Sequence, residues 1–293
     1  MTLVVTSNFA LGKVTPPNLP LAPGQYSSQY QEQLNNVLRL YFNQLNKIVS
    51  QLKTDATSDG STLQFPNGAF FQDGTTTLTT GISNVSTTPI IVGDTSGFAL
   101  TVGAIIIGTE IITYTGKTPT SFTGITRGAY GSTQASHTAG VAVTEAQNLA
   151  SPTVATALTL LQTTTSNGVS IDATDKTKIV FGTAGIYNIQ FSVQMLTYDN
   201  TIDNVTLWWR KNGIDIPYSA GVATVPAIHG GKPGTAIISW NLVEPVDAGD
   251  YIQLLFASDT GNTVCATYPS GASPVHPVSP SVIVTATFVS ALY

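Results

Sequence analysis

Acidic side chains that stand close together in the sequence are the first candidates for chemistry in this chain. Asp199 and Asp203 lie in "YDNTIDN", and Glu244, Asp247 and Asp250 lie in "VEPVDAGD". Glycoside hydrolysis requires two carboxylates that face each other across a groove. Glu244 and Asp247 flank a proline-containing turn, which predicts a solvated hairpin end. Asp250 is expected to accept hydrogen bonds from the backbone amides of its own turn, so these acids favour turns over a catalytic pair.

Other residue types that support catalysis or metal binding are few. The loop with Asp199 and Asp203 offers oxygen ligands of the kind Ca²⁺ prefers, but two acids make a weak calcium motif. The single cysteine, Cys265, lies in an apolar alternating run and is expected to be a small buried strand residue. His137 follows a Gly-rich stretch, which indicates a turn or interface residue rather than a metal ligand. Without a Ser/His/Asp arrangement, the sequence predicts a non-enzymatic protein with no cofactor and no metal.

The composition favours a structural protein. Charged residues make up 9% of the 293 residues, against about 25% in typical soluble proteins. No basic cluster exceeds the pair Arg210–Lys211, and the net charge is −5, so a nucleic-acid partner is not expected. No stretch reaches the roughly 18 apolar residues of a membrane span, and the first residues lack a signal-peptide pattern. A surface of hydroxyls and amides suits long-lived subunit contacts, because these groups cost less to desolvate than ions.

The chain divides into five segments that differ in composition and in hydrophobic periodicity. Residues 1–24 are a proline-punctuated, extended arm, residues 25–53 carry the only long helical periodicity, and residues 54–74 are a linker. Residues 75–148 are expected to form a small β-module and residues 149–293 a larger β-domain. In the larger domain, strands are predicted at 153–165, 177–181, 185–198, 204–211, 235–244, 250–258, 262–268 and 281–290. The fold class is therefore mainly β, with a two-sheet jelly roll at the C-terminus.

The helical segment has the pattern of a coiled coil. Its apolar residues follow one another at alternating steps of four and three, at Leu34, Leu38, Tyr41, Leu45, Ile48 and Leu52. Additional apolar residues widen this seam beyond that of a two-stranded coil, and we expect a trimer. The alternative is one amphipathic helix that packs on its own domain. The neighbouring proline arm and Thr-rich linker offer no core for that arrangement.

A pair of tryptophans marks the candidate binding surface. In "NVTLWWRKNG" the alternation places Trp209 towards the core and Trp208 outward beside Arg210, and an Asn-Gly turn ends the strand. An outward tryptophan in a charge-poor chain indicates a subunit interface or a ligand platform. Trp208, Arg210, Tyr218 and Tyr268 are therefore the candidate contacts, with another subunit or with a glycan.

Three separated blocks of the C-terminal domain agree in order and spacing with one known module. They are "LWWRKNGIDIPYS", "HGGKPGTAIISWNLVEPVDAGDYIQLLFAS" and "PSVIVTATFVS". Over about residues 165–293 the chain resembles the C1q/TNF-like jelly-roll module of bacteriophage virion proteins. The resemblance implies trimers that pack through one apolar sheet face, without catalytic residues. The arm and helix resemble an N-terminal attachment segment of phage structural proteins, and the middle unit is similar to a small β-module of the same proteins.

These observations predict a homotrimeric, non-enzymatic bacteriophage virion protein, either a short fibre or a capsid-decorating spike, assembled in the host cytoplasm. Residues 1–52 are expected to bind other virion proteins, the β-module to act as a spacer and the jelly-roll head to face outward. The alternative is a tail-fibre receptor-binding protein whose exposed aromatic side chains stack on host surface glycans.

Overall fold

The computed structural model describes residues 18–19, 21, 24–25, 27–54, 65–98, 101–148, 154–272 and 274–292, with the backbone alone for residues 47–54. The described chain is mainly β, with one α-helix and several antiparallel sheets. It separates into two compact units, Met1–Phe65 and Pro66–Tyr293. Most of the predicted arm and residues 55–64 of the predicted linker lie outside the described residues.

The helix α1 spans Ser28–Thr54, where the periodicity predicts a helix at residues 25–53. Its N-terminus is capped by Ser27, whose side-chain oxygen accepts a hydrogen bond from the Tyr30 amide at 3.3 Å. A serine at this position satisfies one of the amides that the first helical turn leaves without a partner.

The strands before residue 150 are β1 (Asn67–Gln72), β2 (Thr75–Thr77), β3 (Ile90–Ile91), β4 (Gly103–Ile107), β5 (Glu110–Tyr114), β6 (Gly116–Thr118), β7 (Ser121–Thr123) and β8 (Ala142–Gln147). Those that follow are β9 (Thr156–Ala157), β10 (Gln162–Asn167), β11 (Val169–Ile171), β12 (Ile179–Phe181), β13 (Gly185–Thr197), β14 (Asp203–Lys211), β15 (Ile214–Asp215), β16 (Gly221–Val225), β17 (Gly234–Val246), β18 (Tyr251–Ser258), β19 (Val264–Ala266), β20 (Gly271–Ala272), β21 (Val275–His276) and β22 (Val282–Ser290).

Two antiparallel sheets face each other across the main hydrophobic core. The larger sheet has the order β10-β1-β22-β13-β19-β8-β4-β5, with β17 paired to β13 and β2 to β8. The second sheet has the order β11-β12-β18-β14-β15, with β16 paired to β14 and β9 to β18. Phe191 and Val284 from the larger sheet share one buried cluster with Leu207 and Trp209 from the second sheet. Each of these strands alternates between buried and exposed positions, so each sheet turns one face to the core.

Residues 75–148 have a hydrophobic cluster of their own and also contribute strands to the larger sheet. Their hairpin β4–β5 and strand β8 belong to the larger sheet, because β8 pairs with β19 at Gln147↔Cys265 and Ala146↔Ala266. The side chains of β4 are buried on both faces of the strand. Ile105 lies in a cluster within residues 75–148, whereas Ile106 packs in a cluster that contains Leu196 and Val264 of the C-terminal part. Residues 75–148 thus have one hydrophobic cluster of their own, and a second cluster connects them to the C-terminal part.

Several predicted strands have different limits in the structure. Residues 67–72, placed in the linker by the sequence, form β1, which pairs with β10 and β22. The strand predicted at 153–165 is interrupted between β9 and β10, where the amide of Leu158 donates to the Leu254 carbonyl and that of Leu160 to the Lys176 carbonyl. The strand predicted at 262–268 is shortened to β19. The long strands β13, β14, β17, β18 and β22 lie within two residues of their predicted limits.

Candidate interaction surfaces

On the side of the larger sheet that faces away from the core, the adjacent described strands β17, β13 and β22 carry no charged side chain. We call this surface the outer face. It consists of Ile186, Asn188, Gln190, Ser192 and Gln194 on β13, Thr235, Ile237, Ser239, Asn241, Val243 and Pro245 on β17, and Ile283, Thr285, Thr287 and Val289 on β22. The amide of Asn241 donates to the Asn188 side-chain oxygen at 3.2 Å across the two strands. Val243 is 56% exposed and Val289 is 57% exposed.

The strand β17 forms an open edge beside the outer face. All 13 of its residues pair with β13, and no other described strand pairs with it. On the inner side of this edge, the partly buried Trp240 packs edge to face on Phe191, with ring centroids 4.5 Å apart. Gly221 lies beside the indole, where a Cβ would come within 2.7 Å of the ring. A long edge strand with apolar groups on both faces is a typical site for contact with another chain.

The Trp-Trp pair is oriented as the alternation predicts. Trp209 is fully buried, and Trp208 is half-buried on the outside of the second sheet. The indole Nε1 of Trp208 donates to Asp215 at 2.9 Å, and the Nε of Arg210 donates to the same oxygen at 2.7 Å. The hydrogen bonds from Arg210 and Trp208 hold the pKa of Asp215 below its ordinary value. Asp215, which no sequence pattern predicts as a site residue, therefore keeps both candidate residues in place.

Tyr218 stands at the tip of the following loop. Its side chain is fully exposed, and its backbone has a left-handed φ of 63° that non-glycine residues rarely adopt. The hydroxyl of the buried Ser219 holds the loop, since it accepts from the Trp209 amide at 3.0 Å and donates to the Ile216 carbonyl at 2.8 Å. A ring displayed on a strained, well-anchored backbone is common at functional loops.

Tyr268 does not belong to the same surface as Trp208 and Tyr218. It follows β19 of the larger sheet, where it packs against the cluster that contains Tyr198. It forms an antiparallel β-bridge with Ser279, in which the amide of each residue donates to the carbonyl of the other, with N···O distances of 3.0 and 2.9 Å. The four candidate contact residues of the sequence are thus divided between the two sheets.

The side chains of the predicted coiled-coil seam are half-buried where the structure describes them. Leu34, Leu38, Tyr41 and Leu45 are half-buried, and none of the side chains described on residues 28–46 is fully buried. Leu40 and Phe42 are each 61% exposed. The side chains of Ile48 and Leu52 lie outside the described residues, so the seam is described over its first four positions.

A buried ionic cluster lies within residues 75–148, and no sequence pattern predicts its central residue, Glu110. The fully buried Glu110 carboxylate accepts two hydrogen bonds from Arg127, at 2.7 and 2.8 Å, and lies 2.7 Å from Nε2 of His137. The amides of Gly128 and Ala135 donate to the same carboxylate. Burial by itself raises the pKa of Glu110, but the hydrogen bonds from Arg127 and His137 outweigh it, and the pKa lies below the ordinary value of 4.5.

The remaining arginine donors tie the cluster to nearby loops. Arg127 donates to the carbonyl oxygens of Ser83, Ser86 and Ala135. Every oxygen and every donor of the ion pair is therefore occupied by protein, which indicates a structural role. The sequence indicates a turn or interface residue at His137, and in the structure this residue forms an isolated β-bridge with Ile82.

Three of the acids considered for catalysis are held by bonds to other protein groups, and two of these three bond to groups distant in the chain. Asp203 is buried and accepts hydrogen bonds from the Ser258 hydroxyl and the Thr260 amide. Asp250 accepts from the Asp247 amide at 2.8 Å, as the sequence predicts. Glu244 differs from the prediction of a solvated hairpin end, because its side chain is only 14% exposed and pairs with Lys211.

Cys265 is fully buried in β19, as predicted, and burial raises the pKa of its thiol. Within the described residues, no group of three His, Cys, Asp or Glu side chains has an arrangement that could hold a metal ion. Nor does that part of the chain contain a helix long and apolar enough to cross a membrane. Compared with known proteins, the chain matches no family model and no curated protein.

Proposed function

We propose that this chain is a homotrimeric, non-enzymatic structural protein of a bacteriophage particle, either a fibre or a capsid-decorating spike. In this proposal the outer face and the open edge of β17 form the contact between copies. The helix provides a second trimer contact, and residues 1–52 attach the protein to other virion components. The C-terminal part then acts as a C1q/TNF-like jelly-roll head.

The outer face is the observation that carries the proposal. The exposed sheet face of a monomeric protein normally carries charged residues, which keep it soluble and unpaired. Here three adjacent strands turn only hydroxyl, amide and aliphatic side chains outward. Depletion of charge is the compositional mark of an interface core, since hydroxyls and amides are desolvated at lower cost than ions.

The neighbouring edge strand supports the same contact. Trp240 and Leu242 of β17 are only partly buried against the main cluster. A second copy that packs along this edge would remove both from water. Burial of apolar area contributes roughly 25 cal/mol per Å², and tryptophan is among the residues that contribute most to binding energy at interfaces.

The trimeric state and the virion role rest on two further observations. The three sequence blocks of the resemblance fall on β14–β15, β17–β18 and β22, which all belong to the two facing sheets. The half-buried seam of α1 provides a coiled-coil surface in the same chain. A charge-poor surface suits an assembly of many copies, in which surfaces are permanently covered.

A matched pair of lysine substitutions tests the outer face. We expect the full chain to have a mass of about three times 30.7 kDa by light scattering. Val243→Lys places a charge in the proposed contact and should reduce the mass or weaken association at least tenfold. Val222→Lys is the control, because Val222 is also an exposed strand valine, 70% accessible, but lies on the second sheet.

The measurement can also reject the proposal. A full chain that is monomeric at micromolar concentration would contradict it. So would a Val243→Lys variant with an unchanged mass and unchanged association, or a Val222→Lys variant that dissociates instead. Location is tested separately, by labelling intact phage particles with an antibody raised against residues 66–293, where absence from purified particles would overturn the virion role.

A further inference from the structure

The edge of the second sheet is interrupted beside the Trp-Trp pair. The pairing of this edge with β14 ends at Asp215 of β15 and resumes at Gly221 of β16. Residues 216–220 therefore bulge out of the edge, opposite Trp208 and Trp209. An insertion of this kind redirects side chains and is common beside functional sites. The region belongs to the second sheet, so the contact between copies proposed for the outer face does not include it.

Three side chains are fixed together on the outward side of this edge. Arg210 and Asp215 are paired directly across the hairpin β14–β15, and one carboxylate oxygen of Asp215 accepts from both Arg210 and the indole of Trp208. Because a single oxygen holds both donors, the rotation of the guanidinium and of the indole is limited before any ligand binds. A site held in this way on strands is preorganised.

The same arrangement leaves accessible hydrogen-bonding groups unused. The second carboxylate oxygen of Asp215, Oδ2, accepts from no described residue, and Nη1 and Nη2 of Arg210 donate to none. The two side chains are 55% and 30% exposed, respectively, so a ligand can reach them from solvent. An acceptor and a planar pair of donors therefore lie beside the half-buried indole of Trp208.

The bulge carries a second aromatic ring, that of Tyr218. The side chain is fully exposed and forms no hydrogen bond or ring contact with a described residue, so it contributes nothing to the core. Its left-handed φ of 63° is costly for a residue with a side chain, and a glycine would adopt it without strain. A strained backbone that displays a ring to solvent indicates a contact made outside the folded chain.

We propose that Trp208, Arg210, Asp215 and Tyr218 bind a neutral carbohydrate. The C–H face of a sugar ring packs on an aromatic face, for which Trp208 and Tyr218 supply the surface. Of two adjacent sugar hydroxyls, one would donate to Oδ2 of Asp215 and the other accept from Arg210, in hydrogen bonds strengthened by the ionic partner. The charges of Arg210 and Asp215 cancel, so an acidic sugar gains no net electrostatic attraction here.

The inference goes beyond the proposed structural role and does not depend on it. The sequence grouped Tyr268 with the other three candidate contacts, but this residue lies on the larger sheet and is not part of the site. Asp215 takes its place. Association of copies is measured by light scattering and sugar binding by NMR, and either can fail while the other succeeds.

Saturation-transfer NMR on the full chain tests the site, with glucose, galactose and mannose as neutral probes, each compared with its own uronic acid. We expect transfer to at least one neutral sugar and weaker transfer to the matching acid. Asp215→Asn should weaken that binding about tenfold or more, because it removes a charged acceptor and the anchor of Arg210. Asp247→Asn, the same change at an exposed acid outside the site, should leave binding unchanged.

Tryptophan fluorescence locates the bound sugar. Addition of the neutral sugar should change the emission of the native chain, since Trp208 is in contact with it, whereas Trp209 is fully buried. Trp208→Phe keeps an aromatic ring at this position but should lose the emission change. The melting temperature of each variant is measured alongside, and Trp208→Phe should remain folded because the side chain lies outside the main cluster.

Four results would overturn the inference. They are the absence of transfer to all three neutral sugars, native binding by Asp215→Asn, stronger transfer to a uronic acid than to its neutral sugar, and an emission change in Trp208→Phe equal to that of the native chain. The last would place the sugar away from the second sheet.

Discussion

At the scale of single residues, the buried Glu110 carboxylate makes the sharpest energetic prediction. Glu110→Gln leaves the Arg127 guanidinium buried without its counter-ion, and removal of one partner from a buried ion pair costs about 3–5 kcal/mol. We expect the free energy of unfolding at pH 7, measured by urea denaturation, to fall by that amount. Asp247→Asn, the same change at an exposed acid, should stay within about 0.5 kcal/mol of the native chain. Equal effects of the two variants would contradict a special role for Glu110.

The pH dependence of stability provides a second readout for the same residue. The folded-state pKa of Glu110 is depressed, so its contribution to stability is complete above the unfolded pKa and is lost as the pH falls through the folded pKa. Below about pH 5, the free energy of unfolding should therefore fall more steeply for the native chain than for Glu110→Gln. Parallel pH curves would mean that Glu110 does not contribute to the acid sensitivity.

At the scale of elements, α1 should depend on association through its seam. None of its described side chains is fully buried, and in proteins most helical stability comes from packing of an apolar face. Leu38→Asn places an amide in the seam and should lower the helical circular-dichroism signal and its dependence on protein concentration. Leu40→Asn is the control, because Leu40 is 61% exposed and lies outside the seam. Similar losses in the two variants would argue against a coiled coil.

At the scale of the whole molecule, the second compact unit, Pro66–Tyr293, which we call the β-unit, should fold without the helix. The three hydrophobic clusters found among the described residues all lie after Phe65. A chain that starts at Pro66 should therefore keep its melting temperature within about 2–4 °C of the full chain, which corresponds to about 1 kcal/mol. Calorimetry of the two chains provides the comparison. Loss of a cooperative transition in the shorter chain would show that the helix is needed for the β-unit.

The sequence predicts that residues 75–148 are a spacer, and their contacts with the rest of the chain bear on that prediction. A spacer that had only its own core would unfold separately from the C-terminal part. Residues 75–148 have one core of their own, but Ile106 and Ile111 share another cluster with Leu196 and Val264, and β8 pairs with β19. The same calorimetry of residues 66–293 should accordingly show one transition, not two.

Local patterns in the sequence determined the elements of this protein. Alternation over 205–209 places Trp209 inside and Trp208 outside, because successive strand side chains point to opposite faces. The predicted Asn212-Gly213 turn is present, with φ angles of 51° and 83°. The positions of the helix and of the long strands could also be predicted, since hydrophobic periods of 3.6 and 2 residues depend only on residues close together in the sequence.

Only the tertiary structure decided which distant residues meet. Glu110 stands 17 residues from Arg127 and 27 from His137. No spacing rule joins them, because the contact depends on how the start of β5 packs against two later segments of the chain. Tyr268 meets Gln194 across a cavity, although the sequence grouped it with Trp208. The outer face combines β13, β17 and β22, whose adjacency follows from strand pairing between segments far apart in the chain. Short-range periodicity fixes the face on which a side chain lies, but long-range pairing selects its neighbours.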